Sequence, residues 1–426
     1  MDCGLYQGLK QLRLRNREPF PVEPAAIDAV VLTHAHLDHS GYLPLLVREG
    51  FRGPIHCTPA TRDLCGILLP DSGHLQEEEA EYANREGFSR HHPALPLYTE
   101  EDARACMEYF QPAAFERELR LDRDLAVTLL PAGHIIGAAM ALLRHGEVSA
   151  LFSGDLGRPS DPLLPPPATV RQADYLTVES TYGDRSHAEV DPLTELEAVI
   201  RRTSERGGVV LIPAFAVGRT QTLLYLLYRL RKENRIPDIP IFVDSPMAAS
   251  AIEIFRSHPS QHRLSAAESD AVCGVARATE SVEESKEIGR MRYPRVIISA
   301  SGMATGGRVL HHLKSMAPDP RNTILFVGHQ AAGTRGAAMV GGARAIKIHG
   351  HYVSVHAEVA VLDSLSAHAD AEEIVAWLGN FAAPPRTTFV THGEPAAADA
   401  LRLRIEERLG WEVRVPEHGE TVELRG

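Results

Sequence analysis

Short runs of aliphatic and β-branched residues alternate along this chain with stretches whose apolar positions recur every three or four residues, the signature of a layered α/β architecture. Ala29–Thr33 reads as a buried strand, followed by a polar turn and a helix over about Gly41–Glu49. Leu125–Leu130, Ala138–Arg144 and Val148–Phe152 read as strands, the last two joined by a His145-Gly146 turn. Asp191-Pro192 supplies an N-cap and a first-turn proline for a helix that Gly207-Gly208 ends, and Val209–Ile212 is then a strand. Leu223, Leu224, Leu227 and Leu230 place a helix over Thr220–Arg231. Val296–Ala300 and Thr323–Val327 are further buried strands, Asp370 caps a helix ending near Gly379, and Thr388–Thr391 is a strand running up to a histidine. No fixed-period repeat or low-complexity tract interrupts this order. Pro162–Pro167 reads as a rigid surface connection, and the acidic Gln76–Glu81 as a solvated helix face.

Composition narrows the class. Hydrophobic residues make up 44% and charged residues 23% of 426 positions, which excludes a disordered, collagen-like or coiled-coil chain. The longest apolar runs, such as Val209–Val217, stop well short of the roughly 20 residues needed to span a bilayer. No secretory signal opens the chain, and five cysteines without a Cys-x-x-Cys pair argue for a reducing, cytoplasmic setting and against a membrane partner. A net charge of −12 excludes binding to nucleic acid by bulk phosphate neutralisation; such contacts must be local or screened by cations. The 21 histidines make their spacing the deciding observation.

The densest chemistry is Thr33-His34-Ala35-His36-Leu37-Asp38-His39, directly after a predicted buried strand. In extended chain His34 and His36 point the same way and reach one metal. Asp38 and His39 sit where the chain turns into a helix and face a second. Imidazole and carboxylate donors suit zinc, with manganese as second choice. The competing reading is a histidine-rich surface turn, which the preceding buried strand disfavours. Further donors follow other predicted strands: His134 in P-A-G-H, Asp155 in S-G-D-L-G and His392 in T-H-G-E. Each alone reads equally as a structural residue; beside the first cluster they complete a binuclear site, with Asp155 the best candidate to bridge.

These motifs resemble the metallo-β-lactamase superfamily. Val178–Asp184 (V-E-S-T-Y-G-D), Ser366–Asp370 (S-A-H-A-D), Thr391–Glu394 (T-H-G-E), Ser301–Arg308 (S-G-M-A-T-G-G-R) and Val243–Ala248 (V-D-S-P-M-A) resemble its β-CASP branch of nucleases over nearly the whole chain. Within that branch the chain is most similar to bacterial and archaeal relatives of the nuclease that cuts messenger-RNA precursors before polyadenylation. The resemblance implies an αββα sandwich in residues 1–187 and 363–426, interrupted by an inserted α/β β-CASP domain over 188–362, with RNA held in a cleft between them. It implies one zinc on His34, His36 and His134, a second on Asp38, His39 and His392, and Asp155 bridging. Glu179 and His368 become a pair beside the metals, His368 the general acid, and Asp2 a supporting carboxylate. Histidine at 392 implies RNA rather than DNA.

The expected activity is therefore endonucleolytic hydrolysis of single-stranded RNA by metal-activated water, which needs no serine or cysteine nucleophile. His368, kept protonated by Glu179, serves the departing 3′-oxygen. Ser301, Gly302, Gly306, Gly307 and Arg308, between a strand and a helix, form a candidate phosphate loop, and Arg219 a candidate backbone contact. His56, His74, His91 and His92 lack strand-end placement and read as structural or solvent-exposed. Exonuclease action, a small-molecule thioesterase or lactamase of the same superfamily, and a scaffold subunit lacking activity are the alternatives. Thioester hydrolysis would mark the second and absence of bound metal the third. Relatives carry two further strands before the motif seen here as Asp2-Cys3-Gly4, so a late-assigned start is expected. No counterpart of the large C-terminal domain of ribonuclease J-type exonucleases is expected after His392, and by analogy with relatives a homodimer is the candidate assembly.

Overall fold

The computed structural model describes residues 1–87, 89, 91–187, 190–279, 281–328 and 330–425. The chain divides into two compact units: unit 1 holds residues 1–7, 11–186 and the segment from His368 onward, and unit 2 holds residues 8–10 and 187–367.

Unit 1 begins with a small parallel sheet, β1 (Val30–Val31), β2 (Ile55–Cys57) and β3 (Phe110–Pro112), in that order. A second sheet is built from β4 (Glu118–Arg120), β5 (Leu125–Pro131), β6 (Ala139–His145) and β7 (Val148–Phe152), antiparallel neighbours in sequence order, with β8 (Tyr175–Glu179) parallel to β7. Alternation along β5 turns Val127 and Leu129 inward, where they meet Val31, Ala139 and Ala141. The two sheets therefore share an apolar layer. The helices Leu43–Arg48, Pro59–Glu86 and Glu100–Cys106 belong to the first sheet's side.

Three local departures from the sequence reading have physical causes. The strand expected over Ala29–Thr33 contributes only β1, because the Thr33 amide donates to the Asp2 carboxylate instead of a neighbouring strand. The helix expected at Gly41–Glu49 is present as Leu43–Arg48 but is preceded by a separate turn of helix, Leu37–Ser40, and between the two the Tyr42 amide bonds the Cys3 carbonyl. The Pro162–Pro167 segment is not a surface connection throughout: Leu163 and Leu164 are buried, their amides donating to Asp161.

Unit 2 is built on a six-stranded sheet of β9 (Val209–Pro213), β10 (Ile241–Val243), β11 (Arg277–Ala278), β12 (Arg295–Ser299), β13 (Thr323–Val327) and β16 (Glu358–Leu362), ordered β11-β10-β12-β9-β13-β16 with all neighbours parallel. A separate antiparallel hairpin joins β14 (Ala345–Ile348) to β15 (His351–Ser354). Continuous burial of β9, β12 and β13 follows from helices on both faces: Val210 and Ile212 enter one core, Val209 and Leu211 the other. Asp191 caps the helix Pro192–Glu205 by accepting from Leu193 and Thr194 amides, as its position before Pro192 predicts.

The segment from His368 returns to unit 1. Asp370 closes a capping box on the helix Ala371–Leu378. β17 (Thr387–Thr391) then pairs parallel with β8, and β18 (Val413–Arg414) with β17, after the helix Pro395–Leu409. The result is the αββα sandwich that the resemblance implies, in unit 1, with an α/β unit inserted between β8 and β17. Among the described residues, no helix is long and apolar enough to cross a membrane.

Candidate metal centre

The site lies at strand ends of unit 1. β1 ends at Val31, and the chain beyond it carries His34 and His36, with His36 as the residue preceding the helix Leu37–Ser40 that bears Asp38 and His39. His134 follows β5 in a turn that cannot be built loosely. Gly133 has φ +73°, and a Cβ on Gly157 would lie 1.9 Å from the Gly133 carbonyl oxygen, so only glycine lets P-A-G-H approach S-G-D-L-G. A Cβ on Gly133 would in turn lie 2.6 Å from the Pro165 carbonyl oxygen. Asp155 follows β7. The pairing of Glu179 with Thr391 across β8 and β17 brings Glu179 beside His392, which itself has φ +52°, a backbone state uncommon for any residue but glycine.

The side chains converge on two donor groups. His34 Nε2 and His134 Nε2 lie 3.1 and 3.2 Å from His36 Nδ1, and Asp155 Oδ2 lies 3.4 and 3.5 Å from the same two Nε2 atoms. In the second group His39 Nε2 is 2.9 Å from His392 Nε2, which is 3.4 Å from Asp38 Oδ2. Asp155 Oδ1 is 3.2 Å from His39 Nε2. Four donors about 2.0–2.1 Å from a tetrahedral ion are separated from one another by about 3.3 Å, which these spacings match. Asp155 Oδ1, fully buried, has no directed hydrogen bond, and the ring nitrogens around His36 Nδ1 cannot all be satisfied by shared protons. Both observations fit a cation-binding centre.

Neighbours fix which ring atoms face inward. His34 Nδ1 is 3.2 Å from the Thr33 hydroxyl, which donates to Asp2 Oδ2; His39 Nδ1 is 2.7 Å from the same Asp2 oxygen. In both rings this leaves Nε2 for the centre. His36 is oriented the other way round, by Nδ1. Asp2 is held by the Thr33 amide and by backbone bonds of Asp2 and Cys3 to Val31 and His39.

Charge follows geometry. Burial lowers His34 well below its ordinary range and His36 to about 4, so both are neutral donors at pH 7. Burial also opposes charge on His39 and His392, but Asp155 with Asp2 holds His39 well above its usual range, and Asp155 with Asp38 raises His392 to about 9. Burial alone would raise Asp155 and Asp38; the surrounding imidazoles hold both below the usual carboxylate range instead. A cation at the second group therefore displaces protons.

Beside the centre, His368 Nδ1 lies 3.0 and 3.2 Å from the two oxygens of Glu179. Glu179 is buried and accepts from the Leu156 and Thr181 amides, while a β-bridge to Gly157 places His368. Burial lowers the His368 imidazole, but Glu179 outweighs it and the net direction is upward. The sequence reading did not single out Thr33 or Thr181; their neighbours Asp2 and Glu179 in the motifs were the available signal.

The remaining candidates lie in unit 2. Ser301, Gly302, Gly306 and Gly307 form the loop from β12 to the helix Arg308–Met316. Arg308, expected to reach a phosphate, has Nη1 2.8 Å from Asp244 Oδ1. Buried Asp244 also accepts from Thr279, Ser285 and His312, so this arginine braces the loop. Arg219 is buried at the start of the helix Arg219–Lys232, against Gly328. His56 is buried away from the centre and His74 is exposed.

Comparison with known proteins agrees with this geometry. Residues 1–209 match the beta-lactamase superfamily domain, 220–339 the Beta-Casp domain, and 352–416 the Zn-dependent metallo-hydrolase RNA specificity domain. Ribonuclease TTHA0252 of Thermus thermophilus is 36% identical over 99% of this chain and 93% of its own length. Transcription termination factor FttA of Methanosarcina mazei is 31% identical over 100% of this chain and 67% of its own. A crystal structure of a protein of unknown function from Enterococcus faecalis superposes with a TM-score of 0.50 at 14% identity, covering 92% of this chain and 80% of that one, a likeness of fold alone. Domain matches, full-length similarity and a histidine-carboxylate centre at the expected strand ends together mean that the chain belongs to the β-CASP metallo-hydrolases of the metallo-β-lactamase superfamily.

Proposed function

We propose that this chain is a cytoplasmic two-zinc ribonuclease that cuts within single-stranded RNA. His34, His36, His134 and Asp155 Oδ2 would hold one ion; Asp38, His39, His392 and Asp155 Oδ1 would hold the other. The observation that carries the reading is the Asp155 carboxylate, whose two oxygens face two different donor groups. Imidazole-rich groups favour zinc, with manganese the next candidate. Such ions supply water activation at neutral pH and neutralise the entering and leaving oxygens of an in-line displacement at phosphorus.

The chain's own residues do the rest. Asp38, kept anionic beside His392 and His39, takes the proton of the attacking water. His368 directs Nδ1–H to Glu179, so its Nε2 delivers a proton to the departing 3′-oxygen. The products carry 3′-hydroxyl and 5′-phosphate ends. In unit 2 the loop Ser301–Gly307 lies at the carboxyl end of β12, next to that of β9, where open parallel sheets receive ligands. Its amides, with Ser301, Gly302, Gly306 and Gly307, are the proposed phosphate contacts, and Arg308 stiffens the loop. The name of the Thermus relative and the RNA specificity domain match support RNA as substrate. Unpaired Cys57, Cys65 and Cys106, all buried, suit a reducing compartment.

End-labelled single-stranded RNA tests the proposal. The metal-loaded protein cuts, chelator abolishes cutting, and His368→Ala slows it about a hundredfold. A ladder of internal fragments identifies endonuclease action; release of mononucleotides would replace it with exonuclease action. Metal-loaded, folded protein that leaves RNA intact overturns the reading.

A further inference from the structure

Lysine occurs only at 10, 232, 286, 314 and 347 in this acidic chain, and most arginines are tied into ion pairs. None of these lysines makes an ion pair among the described residues, and on unit 2 Lys347 lies on the β14–β15 hairpin while Lys314 acts on His349 at its tip. Lys314 lies on the helix Arg308–Met316, one turn after His311, whose ring is 5.4 Å from that of His349 at the tip of the β14–β15 hairpin. His349 and Gly350 both have positive φ, the backbone that a two-residue type I′ turn requires. Lys314 and Arg335 act on His349, and Lys314 and Lys286 on His311, each adding to burial in lowering the imidazole.

On the hairpin itself, Lys347 pairs directly across from Tyr352, so the two side chains share a face. The opposite face carries Ile346 and Ile348 into the core. Tyr352 is 77% exposed, the most exposed large hydrophobic side chain among the described residues. An unpaired lysine beside an open aromatic ring is the pairing that single-stranded nucleic acid uses, phosphate on the cation and base on the ring. The hairpin is also joined to the loop after β12: Arg335 donates to the Lys347 carbonyl at 2.7 Å and to the Ala304 and Thr305 carbonyls at 3.2 and 3.0 Å.

We propose that this hairpin, with Lys347 and Tyr352 on its outer face and Lys314 beside its tip, is a docking surface for single-stranded RNA, continuous through Arg335 with the loop Ser301–Gly307. Lys314 and Lys347 neutralise backbone phosphates and Tyr352 stacks on a base. The proposal rests on the ribonuclease reading above and names where on unit 2 the substrate is gripped. Attachment to the phosphate loop is what favours RNA over a protein partner for this surface.

The experiment measures binding of fluorescein-labelled oligouridylate by anisotropy across a salt series, using the full metal-loaded chain in a His368→Ala background to slow cleavage. Lys314→Ala with Lys347→Ala is expected to flatten the slope of log affinity against log salt by about 1–2. Tyr352→Ala lowers affinity about tenfold while Tyr352→Phe restores it, and Lys232→Ala, elsewhere on unit 2, changes neither quantity. The four substituted side chains, Lys232, Lys314, Lys347 and Tyr352, all lie outside the core, and unfolding curves confirm that each variant is folded. Parent and hairpin variants binding alike would overturn the docking surface while leaving the ribonuclease reading standing. A parent that binds no RNA would overturn both. Loss with Tyr352→Phe equal to that with Tyr352→Ala would overturn the stacking role.

Discussion

Asp2 Oδ2 lies 2.7 Å from His39 Nδ1, and the same oxygen accepts the Thr33 hydroxyl that faces His34 Nδ1. A carboxylate outside both donor groups thus sets the ring orientation of one histidine in each. Such outer partners commonly matter by 10–100-fold in metal affinity. Asp2→Ala is therefore expected to weaken zinc binding by about that factor, read by competition with a chromophoric chelator. Unchanged affinity would mean that the rings are held by packing alone.

On the two-ion proposal, Asp155 couples the ions. Asp155→Ala removes a donor from each group, so metal analysis after dialysis should show both ions depleted. His134→Ala and His392→Ala should each deplete one ion preferentially. Equal retention of both ions in Asp155→Ala would count against a bridging carboxylate.

Protonation gives a direction that can be measured without metal. The folded pKa of His392 is raised to about 9 against an ordinary value of 6.5, so its favourable contribution is complete below about pH 6.5. It declines as pH rises and is gone above about 9. In chelator, the difference in unfolding free energy between the wild-type chain and His392→Gln should be largest near pH 6 and shrink toward pH 9. A difference that grows with pH would reverse the assignment.

Asp244→Ala tests the bracing of unit 2. It leaves His312, Arg308, Thr279 and Ser285 without their shared acceptor, and removing one partner of a buried charged cluster costs about 3–5 kcal/mol. Denaturant unfolding monitored in unit 2 should show that loss, while metal content, which the proposal assigns to unit 1, stays at the wild-type level. A loss below about 1 kcal/mol would show that the cluster is dispensable.

A glycine makes the tightest steric prediction. Gly157→Ala places a methyl group 1.9 Å from the Gly133 carbonyl oxygen, so the turns carrying His134 and Asp155 must part. Thermal unfolding should fall by several degrees and zinc binding weaken together; an unchanged melting temperature would show that the turns can yield.

Much of this protein is legible along the chain. His34, His36, Asp38 and His39 occupy one short stretch, so their clustering needs no tertiary information, and strand-end placement of His134, Asp155 and His392 follows from hydrophobic runs that stop before them. The capping residues Asp191 and Asp370 act within their own turns and were equally visible. Other features depend on partners far apart in sequence. That His36 presents Nδ1 while His34 and His39 present Nε2, that Asp155 divides its oxygens between two groups, and that Glu179 at the end of β8 meets His368, which a bridge to Gly157 places beyond the end of β7, are all set by strand register and by which neighbour accepts the other ring proton. Arg308 shows the same limit: a residue after a glycine-rich loop invites a phosphate by its position, but the buried charge of Asp244, reached only through sheet packing, is what its guanidinium meets. Local spacing decides which residue types reach a strand end or a helix start, because backbone geometry is short-ranged. Ring orientation, protonation and the partner of each charge are decided by distant segments, because only folding brings those dipoles and carboxylates within hydrogen-bonding range.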